Sequence, residues 1–169
     1  MTMVHHQHDV IRRYLQDALA AEQSFENQLK QFAEDSQQPE LQQLFRQHAD
    51  ETRWQAERLK GRLEVLGGAP SGVKGFMANL FSLGPKVAQM GHDPSEKGVQ
   101  NLIAAIAVEH SELAMYEALA QVAAAAGDLE TEQLARDIQQ QEARAAEMLW
   151  PYVGRTAREA FQQVAMTSG

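Results

Sequence analysis

The chain has 169 residues, of which 44% are hydrophobic, so it is long enough for one domain with a buried core. Its 23 acidic residues outnumber the 15 Lys and Arg residues, and the net charge of -8 argues against nucleic acid or an anionic membrane surface as partners. The absence of cysteine excludes disulfides and thiolate metal sites. The sequence shows neither a signal peptide nor an apolar run of about 18 residues, so a cytoplasmic location is expected.

Glycine and proline divide the chain into helical patterns, and no segment shows the period-2 alternation of a strand, so an all-α fold is expected. A first helix is predicted from about His8 to Asp35, after a disordered segment of residues 1–7. A second helix is predicted to begin at Pro39, since proline is tolerated in a first turn. It is predicted to end at Gly67-Gly68 through a left-handed cap.

Residues 71–92 have a different character, because several glycines interrupt an apolar set. This segment is predicted to be a crossover with one or two short helices packed on the bundle. Its apolar residues include Phe76, Met77, Leu80 and Phe81. They offer more apolar surface than one small bundle covers, which favours a homodimer.

The second half of the chain contains a second helical pair. A third helix is predicted to start at Asp93-Pro94-Ser95-Glu96 and to reach Ala126. Asp128 is expected to cap a fourth helix that ends at about Trp150, because Pro151 lacks the N–H that continuation requires. Residues 152–169 are expected to form a short closing helix, Thr156 to about Val164, and a tail. Two hairpins joined by one long crossover predict a single ferritin-like four-helix bundle.

Polar residues interrupt the apolar stripe of each predicted helix near its middle. Glu22 lies on the stripe of the first helix, seven residues from both Leu15 and Leu29. Helical rotation is expected to place one of the third helix's two glutamates inward and the other on a flank. The interruptions are Glu22 in the first helix, His48, Thr52 and Gln55 with Glu51 on their flank in the second, Glu109 and Glu112 in the third, and Glu142 in the fourth.

These interruptions predict a metal site, because an ionised carboxylate in a bundle core is costly unless a cation, a proton or a partner neutralises it. Carboxylate oxygens suit iron and manganese, and an imidazole adds a nitrogen donor. The usual di-iron bundle carries Glu-x-x-His on two of its helices. Here Trp54 stands three residues after Glu51, and Ala145 stands three after Glu142, so that pattern is incomplete.

The chain resembles the ferritin-like family typified by the bacterial YciE and YciF stress proteins, from about Ile11 to Val153. The resemblance is most specific at Val108-Glu-His-Ser-Glu-Leu-Ala-Met-Tyr116, which is similar to the family's third-helix segment Val-Glu-His-Tyr-Glu-Ile-Ala-x-Tyr. It implies a dimer-forming bundle with a dinuclear metal site, a role in stress responses and no settled reaction. Family members often have His in place of Gln55 and an acid in place of Ala146. The metal ligands that the resemblance implies are Glu22, His48, Glu51, Glu109, Glu112 and Glu142.

Two functions are consistent with these residues. One is the oxidation of Fe(II), or the disposal of peroxide, at a di-iron or di-manganese centre. The other is that of a non-catalytic, homodimeric stress protein with a vestigial metal site, in which a proton, an Arg or a Tyr satisfies the core carboxylates. Tyr116 is expected to be either a phenol beside the metal or a core tyrosine with a hydrogen-bonded hydroxyl. No nucleotide, haem or flavin site is indicated, because the glycines form no phosphate loop.

Overall fold

The computed structural model describes residues 2–70 and 93–167, and the chain forms four α-helices in these ranges. The helices are α1 Thr2–Asp35, α2 Pro39–Val65, α3 Lys97–Ala125 and α4 Leu129–Thr167. A 3₁₀ turn, Pro94–Glu96, leads into α3, and the described ranges contain no strand. The all-α prediction is confirmed. The predicted crossover helices and their apolar residues, within residues 71–92, lie outside the described part of the chain.

The four helices form two antiparallel hairpins, α1 with α2 and α3 with α4, which meet chiefly through α1 and α3. Both α2 and α3 begin at the same end of the bundle, since Leu41 and Leu102 belong to one apolar cluster while Leu63 and Leu119 belong to another. The last residue of α2 and the first of α3 are therefore at opposite ends. This is the connectivity of ferritin-like bundles.

The core consists of two apolar clusters. Phe25, Phe45 and Leu102 are among the buried side chains of the first cluster. Leu15, Leu59 and Ile138 are among those of the second. The burial of these residues follows the three- and four-residue spacing of apolar side chains in each helix. Among the described residues, no helix combines the length and apolar character needed to span a membrane.

Capping residues fix the helix ends. Gly67 and Gly127 both have a φ of 72°, in the left-handed region where residues with a Cβ are disfavoured. Asp93 accepts a hydrogen bond from the Ser95 backbone N–H at 2.9 Å. Asp128 accepts one from the backbone N–H of Thr131 at 3.0 Å. These local signals, all visible in the sequence, place the ends of α2 and α3 and the starts of α3 and α4.

Two helix boundaries differ from the sequence predictions. α1 begins at Thr2, inside the segment predicted to be disordered, since residues 2–7 include no glycine or proline to interrupt a helix. The predicted end at Trp150 is wrong, because α4 continues through Pro151 to Thr167 without a separate closing helix.

Contacts beyond Pro151 offset the roughly 3 kcal/mol that an internal proline costs a helix. Thr156 and Ala160 are 8% and 5% exposed, so the turns after the proline are packed. The Gln38 side-chain amide donates to Thr156 Oγ1 at 3.1 Å and to Glu159 Oε2 at 2.6 Å. Tertiary packing against the start of α2 therefore allows α4 to continue past Pro151.

Candidate metal centre

A layer of polar side chains separates the two apolar clusters, and every helix contributes to it. Each of its seven members is at most 3% exposed. The four interruptions predicted from the sequence thus meet inside the bundle. We call this set the polar layer, and it consists of Glu22, His48, Thr52, Gln55, Glu109, Glu112 and Glu142.

Two overlapping triads of potential ligands lie within the polar layer. In the first triad, His48, Glu109 and Glu142 each offer one ligand atom, and these atoms lie within 4.8 Å of one another. In the second triad, Glu22, Glu112 and Glu142 meet the same distance limit. Glu142 of α4 belongs to both. The geometry therefore brings together two adjacent groups of potential ligands that share one carboxylate.

His48 is paired with Glu109 across α2 and α3. Its Nε2 lies 2.5 Å from Glu109 Oε1, and the ring of Phe25 packs edge-on against the imidazole at 5.6 Å between centroids. Burial lowers the pKa of His48, but the hydrogen bond to Glu109 and the charge of that carboxylate outweigh it and raise the pKa to about 9. Without a cation nearby, the imidazole is protonated at neutral pH.

Glu22 is hydrogen-bonded to Tyr116, which donates its hydroxyl to Glu22 Oε1. Burial raises the pKa of Glu22 to about 8, although this hydrogen bond works in the opposite direction. Burial also raises the pKa of Tyr116, and the charge of Glu22 adds to the effect. In the absence of a cation, the pair therefore holds both of its protons at neutral pH.

Glu142 is held by Gln55, which reaches it across α2 and α4. The Gln55 side-chain amide donates to Glu142 Oε1 at 2.5 Å and to Gln141 Oε1 at 3.1 Å. Burial raises the pKa of Glu142 well above its ordinary value, and the nearby charges of Glu22 and Glu112 reinforce the shift. Gln55 thus positions the carboxylate that both triads share.

Glu112 has no hydrogen-bond partner for either carboxylate oxygen among the described residues, although it is fully buried. Burial raises the pKa of Glu112 well above its ordinary value. Buried polar atoms without partners are rare in folded proteins, and each one calls for an explanation. Within the described ranges, Oε2 of Glu22, of Glu109 and of Glu142 also lacks a hydrogen-bond partner. Glu22, Glu112 and Glu142 form one of the two triads, and Glu109 belongs to the other together with Glu142.

The structure brings together five of the six predicted ligands and places Glu51 at the rim. The Glu51 side chain is 44% exposed, and its Oε2 lies 3.7 Å from His48 Nδ1, outside both triads. The prediction that Glu109 or Glu112 would lie on a flank is wrong, because both are 0% exposed. Since α3 packs against both α1 and α4, two of its faces are covered.

The hydroxyl of Tyr116 is hydrogen-bonded, to Glu22, which agrees with one of the two roles expected for it. The role of Gln55 as a donor to Glu142 was not predicted from the sequence. Gln55 was visible as a break in the stripe of α2, and Tyr116 lies one helical turn beyond Glu112 on the same face. Ala145, where a His would complete the motif of α4, is 2% exposed, and Ala146, where family members often have an acid, is 7% exposed. Trp54, where a His would complete the motif of α2, is 69% exposed and faces away from the centre.

A carboxylate-rich centre built by all four helices, with one long connection between the hairpins, defines a ferritin-like protein. The sequence matches the family described as "Domain of unknown function (DUF892)" over residues 6–162, and the chain belongs to that family. No protein with a curated description matches it.

Solved structures with the same fold include relatives from three bacteria. A protein from Xanthomonas campestris pv. campestris is 28% identical, with 95% of this chain and 99% of that one covered and a TM-score of 0.79. The stress protein YciF of E. coli is 22% identical, with 94% and 99% covered and a TM-score of 0.79. A DPS protein from Vibrio cholerae, described as a member of a broad superfamily of ferritin-like diiron-carboxylate proteins, is 18% identical, with 87% and 91% covered and a TM-score of 0.61. The predicted likeness to YciF and the ferritin-like fold are confirmed.

Proposed function

We propose that the protein binds two iron or manganese ions in its polar layer and uses them to oxidise Fe(II) or to dispose of peroxide. The observation that carries this proposal is Glu112, a fully buried carboxyl group whose two oxygens have no hydrogen-bond partner in the described part of the chain. A structural carboxylate would be expected to have a donor. The position of Glu112 beside Glu22 and Glu142 supports a role as a ligand.

The charges in the polar layer suit two divalent cations. Four carboxylates carry four negative charges when ionised, and a neutral His48 adds a nitrogen donor, so two divalent ions would leave no net charge in the core. His48 and Glu109 would hold one ion, Glu22 and Glu112 would hold the other, and Glu142 would contact both. Bound iron or manganese would supply one-electron redox chemistry. The diiron-carboxylate description of the Vibrio cholerae protein supports this choice of metal class.

Other residues would orient the ligands. Tyr116 donates to one oxygen of Glu22, and Gln55 donates to one oxygen of Glu142. The second oxygen of each carboxylate has no donor among the residues that the structure describes. Hydrogen bonds of this kind fix the orientation of metal ligands. The apolar clusters on either side of the polar layer would exclude water from the centre.

The alternative is a non-catalytic stress protein with a vestigial metal site. It is favoured by the hydrogen bonds His48–Glu109, Tyr116–Glu22 and Gln55–Glu142, which satisfy much of the polar layer without a metal. In this alternative, the surface would carry the function through a homodimer or another partner. Light scattering at micromolar concentration tests the homodimer, and a monomeric mass would refute it.

Elemental analysis tests the metal centre directly. The full chain would be produced in medium supplemented with iron and manganese and purified without chelator, beside a Glu22→Gln, Glu142→Gln double variant. We expect about two metal ions per wild-type chain, as in dinuclear bundle sites, and a loss of metal in the double variant. A Glu34→Gln, Glu147→Gln variant is the matched control, because it removes exposed charges from the same two helices.

The outcome separates the two candidate functions. Metal in the wild type and the control, with none in the double variant, would support the centre and justify assays of ferroxidase and peroxidase turnover. No metal in the wild type would instead support the vestigial site. Circular dichroism of every variant would show that loss of metal is not loss of fold.

A further inference from the structure

The seam between α2 and α4 is one side of the polar layer. Of the helix pairs that pack against each other in the described ranges, α2 and α4 have the least extensive contact. A groove of about 720 Å³ follows this seam on the outside of the bundle. The residues that line it include Glu51, Trp54, Gln55, Gln141, Arg144 and Met148.

One layer of side chains separates this groove from both triads. Gln55 lines the groove and also donates to Glu142 Oε1 at 2.5 Å. Glu51 lines the groove and lies 3.7 Å from His48, which is itself hydrogen-bonded to Glu109. A small ion in the groove is therefore one side chain away from ligands of each triad.

The side chains between the groove and the polar layer carry oxygen atoms that could bind a cation in transit. Gln55 is 1% exposed, yet its Oε1 has no hydrogen-bond partner in the portion of the chain described. Thr52, on the preceding turn of α2, is fully buried and its Oγ1 is also without a partner there. Rotation of the Gln55 amide would break only its bonds to Glu142 and Gln141, and it would leave the apolar clusters intact.

The charges of the groove single out Glu51 as the acid that faces the centre. The preceding residue, Asp50, forms an ion pair with Arg53 at 3.0 Å. The Asp50 side chain is also more exposed than that of Glu51. Arg58 forms an ion pair with Asp137, with 3.1 Å between Nη2 and Oδ2. The remaining cationic side chain of the groove, Arg144, acts on Glu51 through its charge and would repel an approaching cation. Glu51 and Arg144 therefore have opposite effects on a cation at this point.

We propose that divalent cations reach the polar layer through the α2–α4 groove, with Glu51 as their first ligand and the Gln55 side chain closing the inner end of the path. This inference rests on the proposed metal centre. It assigns Glu51 to the delivery of the ion, in contrast to the permanent coordination by the five buried residues. The half-exposed position of Glu51, between the groove and His48, follows from this role.

The rate of Co(II) uptake tests the path. Metal-free full-length protein would be mixed with Co(II) at low ionic strength, and uptake would be followed by the absorption of the bound ion, with elemental analysis of the final metal content. Electrostatic steering changes association rates by about 10- to 1,000-fold, so we expect Glu51→Gln to slow uptake by about tenfold. Its final metal content should equal that of the wild type. Arg144→Gln should accelerate uptake.

A matched control is Glu57→Gln, which removes the same charge from an exposed position of α2 that does not line the groove. Its uptake rate should equal that of the wild type. If Glu51→Gln takes up Co(II) at the Glu57→Gln rate, the path is overturned while the metal centre stands. If Glu51→Gln loses bound metal at the end point, Glu51 is a permanent ligand and the delivery role is overturned. A wild type that takes up no Co(II) overturns both proposals.

Discussion

Tyr116 of α3 donates its hydroxyl to Glu22 of α1, and both residues are fully buried. This bond joins the two hairpins at the polar layer, along the pair of helices through which they chiefly meet. It satisfies one oxygen of Glu22 and leaves the other beside Glu112 and Glu142. The two residues thus connect the stability of the bundle with the geometry of its centre.

We expect Tyr116→Phe to destabilise the metal-free protein by about 1–3 kcal/mol, because Glu22 would lose its donor while remaining buried. Urea unfolding at neutral pH measures this loss. Tyr14→Phe is the control, since Tyr14 is a partly buried tyrosine packed against the second apolar cluster. An equal loss in both variants would show that the hydrogen bond to Glu22 adds nothing to stability.

Glu112→Gln should separate folding from metal binding. Burial raises the pKa of Glu112 well above its ordinary value, which favours the uncharged form when no metal is bound, and Gln is an uncharged side chain of similar shape. We expect unchanged stability in the metal-free state and a clear reduction in the rise of Tm on adding Fe(II) or Mn(II). Glu117→Gln, at an exposed position of α3, should retain that rise. A full rise of Tm in Glu112→Gln would contradict the assignment of Glu112 as a ligand.

The stability of the metal-free protein should fall as pH rises from about 4.5 to about 9. The pKa of Glu22 is raised from 4.5 to about 8, and that of His48 from 6.5 to about 9. Both groups bind protons more tightly in the folded state, so their contribution is complete below the unfolded pKa and is lost as pH passes the folded pKa. Urea unfolding across this range measures the slope.

The stabilisation that bound metal provides should increase with pH, whereas the stability of the metal-free protein should decrease. Protons must leave Glu22, Glu112 and His48 before these groups bind a cation, so the metal-induced rise in Tm should grow with pH. Parallel thermal melts with and without Mn(II) would measure it. The same rise at every pH would show that the ion binds elsewhere.

Arg62 should stabilise the end of the bundle that lies opposite Pro151. It is 10% exposed and donates to Asp128 Oδ1 at 2.6 Å and to Thr131 Oγ1 at 2.8 Å, which ties α2 to the start of α4. We expect Arg62→Met to reduce the free energy of unfolding by about 2–3 kcal/mol, since Asp128 is partly buried and would lose its cationic partner.

The control for this variant is Arg58→Met, measured by the same unfolding experiment. Arg58 forms one ion pair, with Asp137, and both partners are about one-third or more exposed. Such surface pairs contribute about 0–1 kcal/mol. A loss in Arg62→Met no larger than that in Arg58→Met would contradict the structural role of Arg62.

Features that depend on a few neighbouring residues could be predicted from the sequence. The left-handed caps at Gly67 and Gly127 and the capping of α4 by Asp128 are local, and the structure shows each of them. The inward position of Glu22 followed from its seven-residue spacing to Leu15 and Leu29, and Glu22 is fully buried. Periodicity along one helix was sufficient for these conclusions.

Features that depend on distant helices could not be predicted in this way. Gln55 and Glu142 are 87 positions apart, and Tyr116 and Glu22 are 94 apart, so no local pattern joins them. The burial of both Glu109 and Glu112 depends on how many neighbours cover α3, which the spacing within α3 does not reveal. The passage of α4 through Pro151 depends on packing against the start of α2.

The polar layer also determines how the four helices align along the bundle. Sliding α4 by one helical turn, about 5.4 Å, would separate Glu142 from Gln55 and bring it towards an apolar cluster. A buried polar group without a partner costs about 1–3 kcal/mol on protein scales, and an ionised one costs far more. Apolar contacts alone, which are not directional, would tolerate several such alignments. The carboxylates between the two apolar clusters disfavour every register except the one in which they meet.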